Sequence, residues 1–324
     1  MTLGLVLSGG AAFGAFEAGV VAAVEESGLR PTILSGTSAG ALNAAALAAG
    51  YDAAGLGDLW LTIRDADVFR LRRDVGSLLR LQALANPRAT NFAERLLDGI
   101  GWTWLLDTEP LRRTIVRALG GERVAVGDGI VLAVSAVDIA TGGLVRFVNT
   151  PPPAHRTGPT YRVVDLGVDH LMASAAIPLL FRPGQVDGAA FWDGGLVANT
   201  PLAPALAYEP DAIIVVTTSA LPRPAPAPRS LGQAVSLLVD TVLGFSLAQD
   251  VALARLVNTV CEVAPSATDK RRVDLLVIAP PPDRLDPDVG LRFDPAEAAR
   301  LIELGRDVGR ARLEGWRSGG PVGS

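Results

Sequence analysis

The chain has 324 residues, 49% of them hydrophobic and only 19% charged. That is enough apolar material for a large core, and it excludes a disordered chain. A net charge of −5 argues against a general nucleic-acid binder, and a single cysteine, Cys261, excludes an internal disulfide and fits a reducing, cytoplasmic compartment. Two histidines, His155 and His170, make a histidine-rich metal site an unfavourable reading. Any Ser-His-Asp triad has to use one of those two.

The first element is a buried strand over Leu3–Leu7, with no basic region before it, so no signal peptide is expected. It runs into Ser8-Gly9-Gly10-Ala11-Ala12-Phe13-Gly14 and then an apolar helical stretch to Val24 in which Glu17 is interspersed. A glycine-rich loop at a helix start offers backbone N–H groups to an anion, a phosphate or the oxyanion of acyl transfer. The lysine of a nucleotide P-loop is missing, and no clean G-x-G-x-x-G register is present. A second unit follows. Thr32-Ile33-Leu34 reads as a strand, and the Ala/Leu-rich run ending at Gly50 as a helix. Ser38 lies between them in Gly36-Thr37-Ser38-Ala39-Gly40, a G-x-S-x-G at the strand-to-helix turn where such a serine is exposed as a nucleophile. Pro31 to Tyr51 is uncharged and long enough to span a bilayer, but its polar residues and glycines fit a buried strand and helix better. Two β-α units in fifty residues predict a parallel sheet with helices outside, and both turns fall at the C-terminal ends of neighbouring strands.

Asp58 to about Leu119 changes character. Arginine and leucine alternate, and Trp60, Trp102 and Trp104 appear. The pattern predicts short amphipathic helices, which are either an ordinary solvated insertion or a cap that meets a lipid surface. A hairpin is expected over Gly129–Val137 and Leu144–Val148, turning at Thr141-Gly142-Gly143. His155 falls in the proline-rich stretch Thr150–Pro159, where it reads as exposed and inert. Asp165–Ile177, stopped by Pro178, is predicted helical, with His170 half-buried on it. The next hairpin, Gln185–Trp192, ends in Asp193-Gly194-Gly195, where a carboxylate projects from the end of a bulky strand; the same tripeptide is also a common plain turn. Asp211–Thr218 and Val273–Ala279 are predicted strands, Leu221–Ser230 a proline-rich connector, Leu231–Val260 a long apolar helix, and Asp294-Pro295-Ala296-Glu297 a capping box opening a final helix to about Trp316. No repeat or domain break interrupts the β/α pattern, so residues 1–324 are expected to form one catalytic domain with an insertion at about 58–119.

Taken together, the early glycine loop, the serine turn and Asp193-Gly194-Gly195 make the chain resemble the patatin-like phospholipase family, as does Ala173-Ser174-Ala175-Ala176-Ile177-Pro178 ahead of the aspartate. The resemblance covers most of Leu3 to Leu202. It implies a three-layer α/β/α fold with a mostly parallel central sheet, and no cofactor or metal. It implies a Ser38–Asp193 dyad acting through an acyl-enzyme on lipid esters, with N–H groups of Gly9, Gly10 and Ala11 as the oxyanion hole. Gly14, Gly36, Gly40, Gly194 and Gly195 would be supporting motif positions. The expected partner is a lipid or ester substrate, with peripheral membrane contact and no nucleic acid; oligomeric state is left open. A silent lipid-binding module on the same fold is the alternative. Ala11 stands where the family usually has a third glycine, and Phe13 where it usually has Arg or Lys. Loss of that basic residue points to neutral or smaller esters.

Overall fold

A computed structural model describes residues 2–72, 103–218, 227, 251–252, 255–264, 266, 271–281, 284–285 and 290–318. Nearly all of the connector at 221–230, most of the helix expected at 231–260 and the centre of the 58–119 insertion, with Trp102, lie outside the described residues.

Among the described residues the frame is a nine-stranded sheet. Strands β1 (Leu3–Leu7) and β2 (Ile33–Thr37) lie side by side, as predicted, each followed by its helix: α1 (Gly14–Glu26) and α2 (Ala39–Ala48). Helices α3 (Ala53–Thr62) and α4 (Asp65–Val68) come next. A small three-stranded sheet begins with β3 (Arg70–Leu71) and β4 (Trp104–Asp107). After α5 (Glu109–Leu119) the chain returns to the main sheet through β5 (Val131–Asp138), β6 (Leu144–Val148) and β7 (Tyr161–Val163). Helix α6 (Val168–Ser174) leads to β8 (Leu179–Phe181) of the small sheet and to the hairpin β9 (Gly184–Val186) and β10 (Ala189–Asp193). Short helices α7 (Gly195–Ala198) and α8 (Leu202–Ala207), strands β11 (Ala212–Val216) and β12 (Asp274–Ile278) and helix α9 (Pro295–Arg317) follow.

Five strands, β12, β11, β1, β2 and β5, are parallel neighbours in that order. Successive side chains of a strand point to opposite faces, and β1 divides accordingly. Leu3, Leu5 and Leu7 join a large cluster with α1, α2 and α9, while Val6 joins a smaller one with Leu202 and Ala205 of α8. Helices therefore cover both faces, which is the expected three-layer arrangement. Helix α9 crosses α1 so closely that a Cβ on Gly19 would fall 2.0 Å from the carbonyl oxygen of Ile302, so this crossing accepts glycine alone. Among the described residues no helix is long and apolar enough to cross a membrane.

Three expectations change in the folded chain. Helix α6 starts at Val168 rather than Asp165, because Leu166 is occupied in accepting the N–H of Val124 and Gly167 caps the helix in an extended conformation. The last helix begins where predicted, with Asp294 accepting the N–H groups of Ala296 and Glu297. The reciprocal half of the box is replaced by an ion pair between Glu297 and Arg300. Trp60 belongs to the core rather than to a cap: it is buried, stacked on Phe293 and bonded through Nε1 to Asn43. The remaining described part of the insertion is a mixture of helix and strand, with Arg72 lying over the Trp104 ring at 4.0 Å.

Candidate active site

The site forms where two strands meet end to end. Strand β5 pairs with three others. Residues 131–135 take β2, residues 136–138 take β10, and β6 spans 133–137. Because β6 overlaps both of the others, it has one edge of β5 to itself, and β2 and β10 share the other edge. They run toward each other along it. Thr37 is opposite Ser135 and Asp193 is opposite Ala136, so the last residues of the two strands face adjacent positions of β5. The next residue after Thr37 is Ser38. Residues 155 apart in sequence (193 − 38) are thereby brought within side-chain reach.

Ser38 caps α2 with φ 54° and ψ −125°, a left-handed backbone that a non-glycine residue adopts only under constraint. The constraint is visible on both sides. Gly40 lies against the end of β1, where a Cβ would be 2.3 Å from the Leu7 carbonyl oxygen, and its own carbonyl would meet a Cβ on Gly36 at the same distance. The bend therefore needs both motif glycines, since the strand, the turn and the neighbouring strand have no room for side chains there. Polar residues of β2 hold the segment that follows Asp193. Thr37 Oγ1 donates to the Ala198 carbonyl at 2.9 Å and Ser35 Oγ to the Pro201 carbonyl at 2.8 Å.

Asp193 is buried and accepts the Gly195 N–H at 2.7 Å through Oδ1. The Ser38 side chain lies near enough to this carboxyl to favour its charged form. Burial pushes its pKa from 3.8 up to about 6, against the smaller lowering effects of the Ser38 side chain and the Gly195 N–H. Gly194 lets the chain leave the strand beside β5, because a Cβ would sit 2.4 Å from the Ser135 carbonyl oxygen.

The glycine loop lies over the serine. A Cβ on Gly9 would be 3.2 Å from Cβ of Ser38, and the Gly40 N–H donates to the Ser8 carbonyl at 3.1 Å. Thr218 fastens the loop from the far side, donating to the Gly9 carbonyl at 2.6 Å and taking up the space a Gly10 side chain would need. One expectation fails: the Gly9 N–H donates to the Asn199 carbonyl at 2.9 Å and is not available to a substrate. The N–H groups of Gly10 and Ala11 are engaged by no residue among those described. Ala11 has φ 47°, so alanine stands at a left-handed position. Gly14 opens α1 against Trp60, whose ring would be 2.5 Å from a Cβ.

Beneath the loop is a polar cluster whose residues the sequence did not mark as belonging together. Asn43 of α2 donates to Glu17 Oε2 at 2.9 Å and to the Gly14 carbonyl at 3.0 Å, and accepts from Trp60. Glu17 is fully buried and its pKa is held well above the usual carboxylate range by desolvation. The one sequence signal was a glutamate inside an apolar helical run. The two imidazoles are engaged elsewhere. His155 is exposed and pairs with Glu209 at 2.9 Å, while His170 accepts the Gly167 N–H and packs edge-on against Phe147.

The chain matches the patatin-like phospholipase family over residues 5–206. It is 30% identical over 205 residues to Lysophospholipase nte1 of Aspergillus terreus (strain NIH 2624 / FGSC A1156), a stretch that makes up 61% of this chain and 10% of that protein. The chain thus spans about a tenth of the length of the curated relative it matches. Among solved structures it is similar to VipD from Legionella pneumophila, at 17% identity and a TM-score of 0.43 over 97% of this chain and 67% of that one. It is also similar to the type III effector protein ExoU, at 16% identity and a TM-score of 0.40 over 97% of this chain and 53% of that one. The family match takes in more than half of the chain, from β1 through the glycine loop, the serine turn and Asp193 to α8, and the protein belongs to the patatin-like phospholipase family.

Proposed function

We propose that this lipid acyl hydrolase cleaves carboxylic esters with a Ser38–Asp193 dyad through an acyl-enzyme intermediate. The Ser38 oxygen bonds to the ester carbonyl carbon as its proton passes to Asp193. The tetrahedral intermediate collapses, the carbon–oxygen bond to the alcohol breaks, and the departing alkoxide takes that proton. Water then repeats the sequence on the acyl-serine, giving its proton to Asp193 and releasing the fatty acid. Gly10 and Ala11 supply the two N–H groups that meet the oxyanion, at a helix N-terminus whose dipole favours the same charge.

One observation carries this reading: the serine at the end of β2 faces, along one edge of β5, a buried carboxylate whose pKa is pushed up to about 6. A carboxylate of ordinary pKa, roughly 4, is a poor base for an alcohol. The rise of about two units corresponds to about 3 kcal/mol of added proton affinity. The fungal relative's name puts lysophospholipids first among the substrates to try. The phenylalanine at position 13 favours esters whose head group needs no basic partner. Contact with a lipid surface would fall to the small sheet, where Leu71, Leu105 and Leu179 are exposed. Sedimentation with zwitterionic vesicles, lost on replacing Leu71 and Leu179 by serine, would bear that out.

A fluorophosphonate probe followed by peptide mapping tests the dyad. Labelling confined to Ser38 and abolished by Ser38→Ala is expected. A folded sample that takes up no probe would replace this reading with a silent lipid-binding module.

A further inference from the structure

The end of α6 and the turn after it touch both members of the proposed dyad through different atoms. The Ser38 N–H donates to Ser174 Oγ at 2.9 Å, and that same hydroxyl donates to the Ser135 carbonyl at 2.7 Å. Two residues further on, the Ala176 carbonyl accepts the Asp193 N–H at 2.9 Å. Ser174 has no exposed surface, and Ser135 is the β5 residue opposite Thr37, at the point where β2 ends and β10 begins. The helix carrying Ser174 is itself fixed, since Gly184 lies so near that a Cβ would be 2.4 Å from Cα of Ala173.

We propose that Ser174 is a positioning residue for acyl transfer, holding the Ser38 peptide in its left-handed conformation so that the Ser38 hydroxyl points at Asp193. The proposal rests on the dyad reading above. Its physical basis is that the Ser38 N–H lies at a closed strand junction. Without the Ser174 hydroxyl, both that N–H and the Ser135 carbonyl lose a partner in a place with no exposed surface to replace it. The strained turn then relieves both by rotating its peptide, and the serine oxygen turns with it. This N–H is directed away from the loop and is not one of the oxyanion donors. Removing its partner therefore changes the aim of the nucleophile and leaves the donors in place.

Ser174→Ala and Ser174→Cys separate this from a packing role; the thiol nearly keeps the volume and is a weak acceptor. With a short-chain p-nitrophenyl ester, Ser174→Ala is expected to lower kcat about 10- to 100-fold with KM within about twofold of wild type, the size of effect that misorientation produces. Fluorophosphonate labelling of Ser38 should slow in proportion, with the cysteine variant intermediate. The ascending limb of the pH–rate profile should also move to higher pH, because the Ser38 side chain lowers the Asp193 pKa and that effect weakens as the side chain turns away. If Ser174→Ala does not fold, the cysteine variant alone decides, through the same three readouts. Wild-type kcat and an unmoved pH limb in a folded variant would overturn the proposal while leaving the dyad standing. Absence of Ser38 labelling in the wild type would overturn both.

Discussion

The two halves of the site are built in different ways. The serine half is local: β1, the glycine loop, β2 and the bend at Ser38 follow one another within the first forty residues, in parallel pairing, and each turn carries its own motif. The carboxylate half is assembled at a distance. Asp193 reaches Ser38 because β10 pairs antiparallel with the last residues of β5, on the edge that β2 has left free. A parallel β-α turn places its residues by backbone geometry alone. An antiparallel end-to-end junction depends on register, where a slip of one position turns the side chain to the opposite face. The local half stores strain, at Ser38 and Ala11, and the distant half stores an unfavourable burial, at Asp193.

The sharpest way to break this comparison is to remove one group from each half. Ser38→Ala and Asp193→Asn should each lower turnover of a p-nitrophenyl ester by at least about 1000-fold, since groups acting as a unit fail together. They should part company in stability. At pH 3 the Asp193 carboxyl is protonated in both folded and unfolded chains. As pH rises from about 4 to about 6 only the unfolded chain releases its proton, so stability is lost across that interval and stays lost above it. The full cost is about 3 kcal/mol. Asp193→Asn therefore raises the melting temperature at pH 8 and leaves it nearly unchanged at pH 3; equal shifts at both pH values would contradict a buried, raised carboxyl.

Next in size is the loop. Gly10→Ala places a methyl against Thr218 and displaces the first of the proposed oxyanion donors, for which a loss of about 100- to 1000-fold in kcat is expected. The pH profile of kcat/KM should rise tenfold per unit below about 6 and level above it, following the ionisation of Asp193. A profile controlled instead by an imidazole would show in His170→Ala, yet both His170→Ala and His155→Ala are expected to keep activity within about twofold, their partners being Gly167, Phe147 and Glu209. The smallest effect belongs to Ala11→Gly, which relieves a left-handed alanine and should gain up to about 1 kcal/mol in denaturant unfolding without loss of turnover.

Much of the local half was legible in the residues. The G-x-S-x-G lies at a strand-to-helix switch, and the glycine run sits at a helix start, because those backbones exclude side chains wherever they occur. Asp193 was legible as a candidate, ending a bulky strand before two glycines. The commitment of the Gly9 N–H was not, because its acceptor, Asn199, is 190 residues away and owes its position to Thr37 and Ser35 of β2. Trp60 reads in isolation as an interfacial tryptophan. It is a core residue because Asn43 and Phe293 provide a buried hydrogen bond and a stacking partner that no neighbouring residue announces.

By itself the amino-acid order determined where the chain bends sharply and which of its short segments are buried strands or apolar helices. Those outcomes depend on steric limits and periodicities that act over a few residues. The folded chain alone decided which N–H groups remain open, how far the aspartate's affinity for a proton rises, and that the ends of β2 and β10 meet on one edge of β5. Each of these is set by groups far apart in the chain, through desolvation, pairing register and competition for hydrogen bonds.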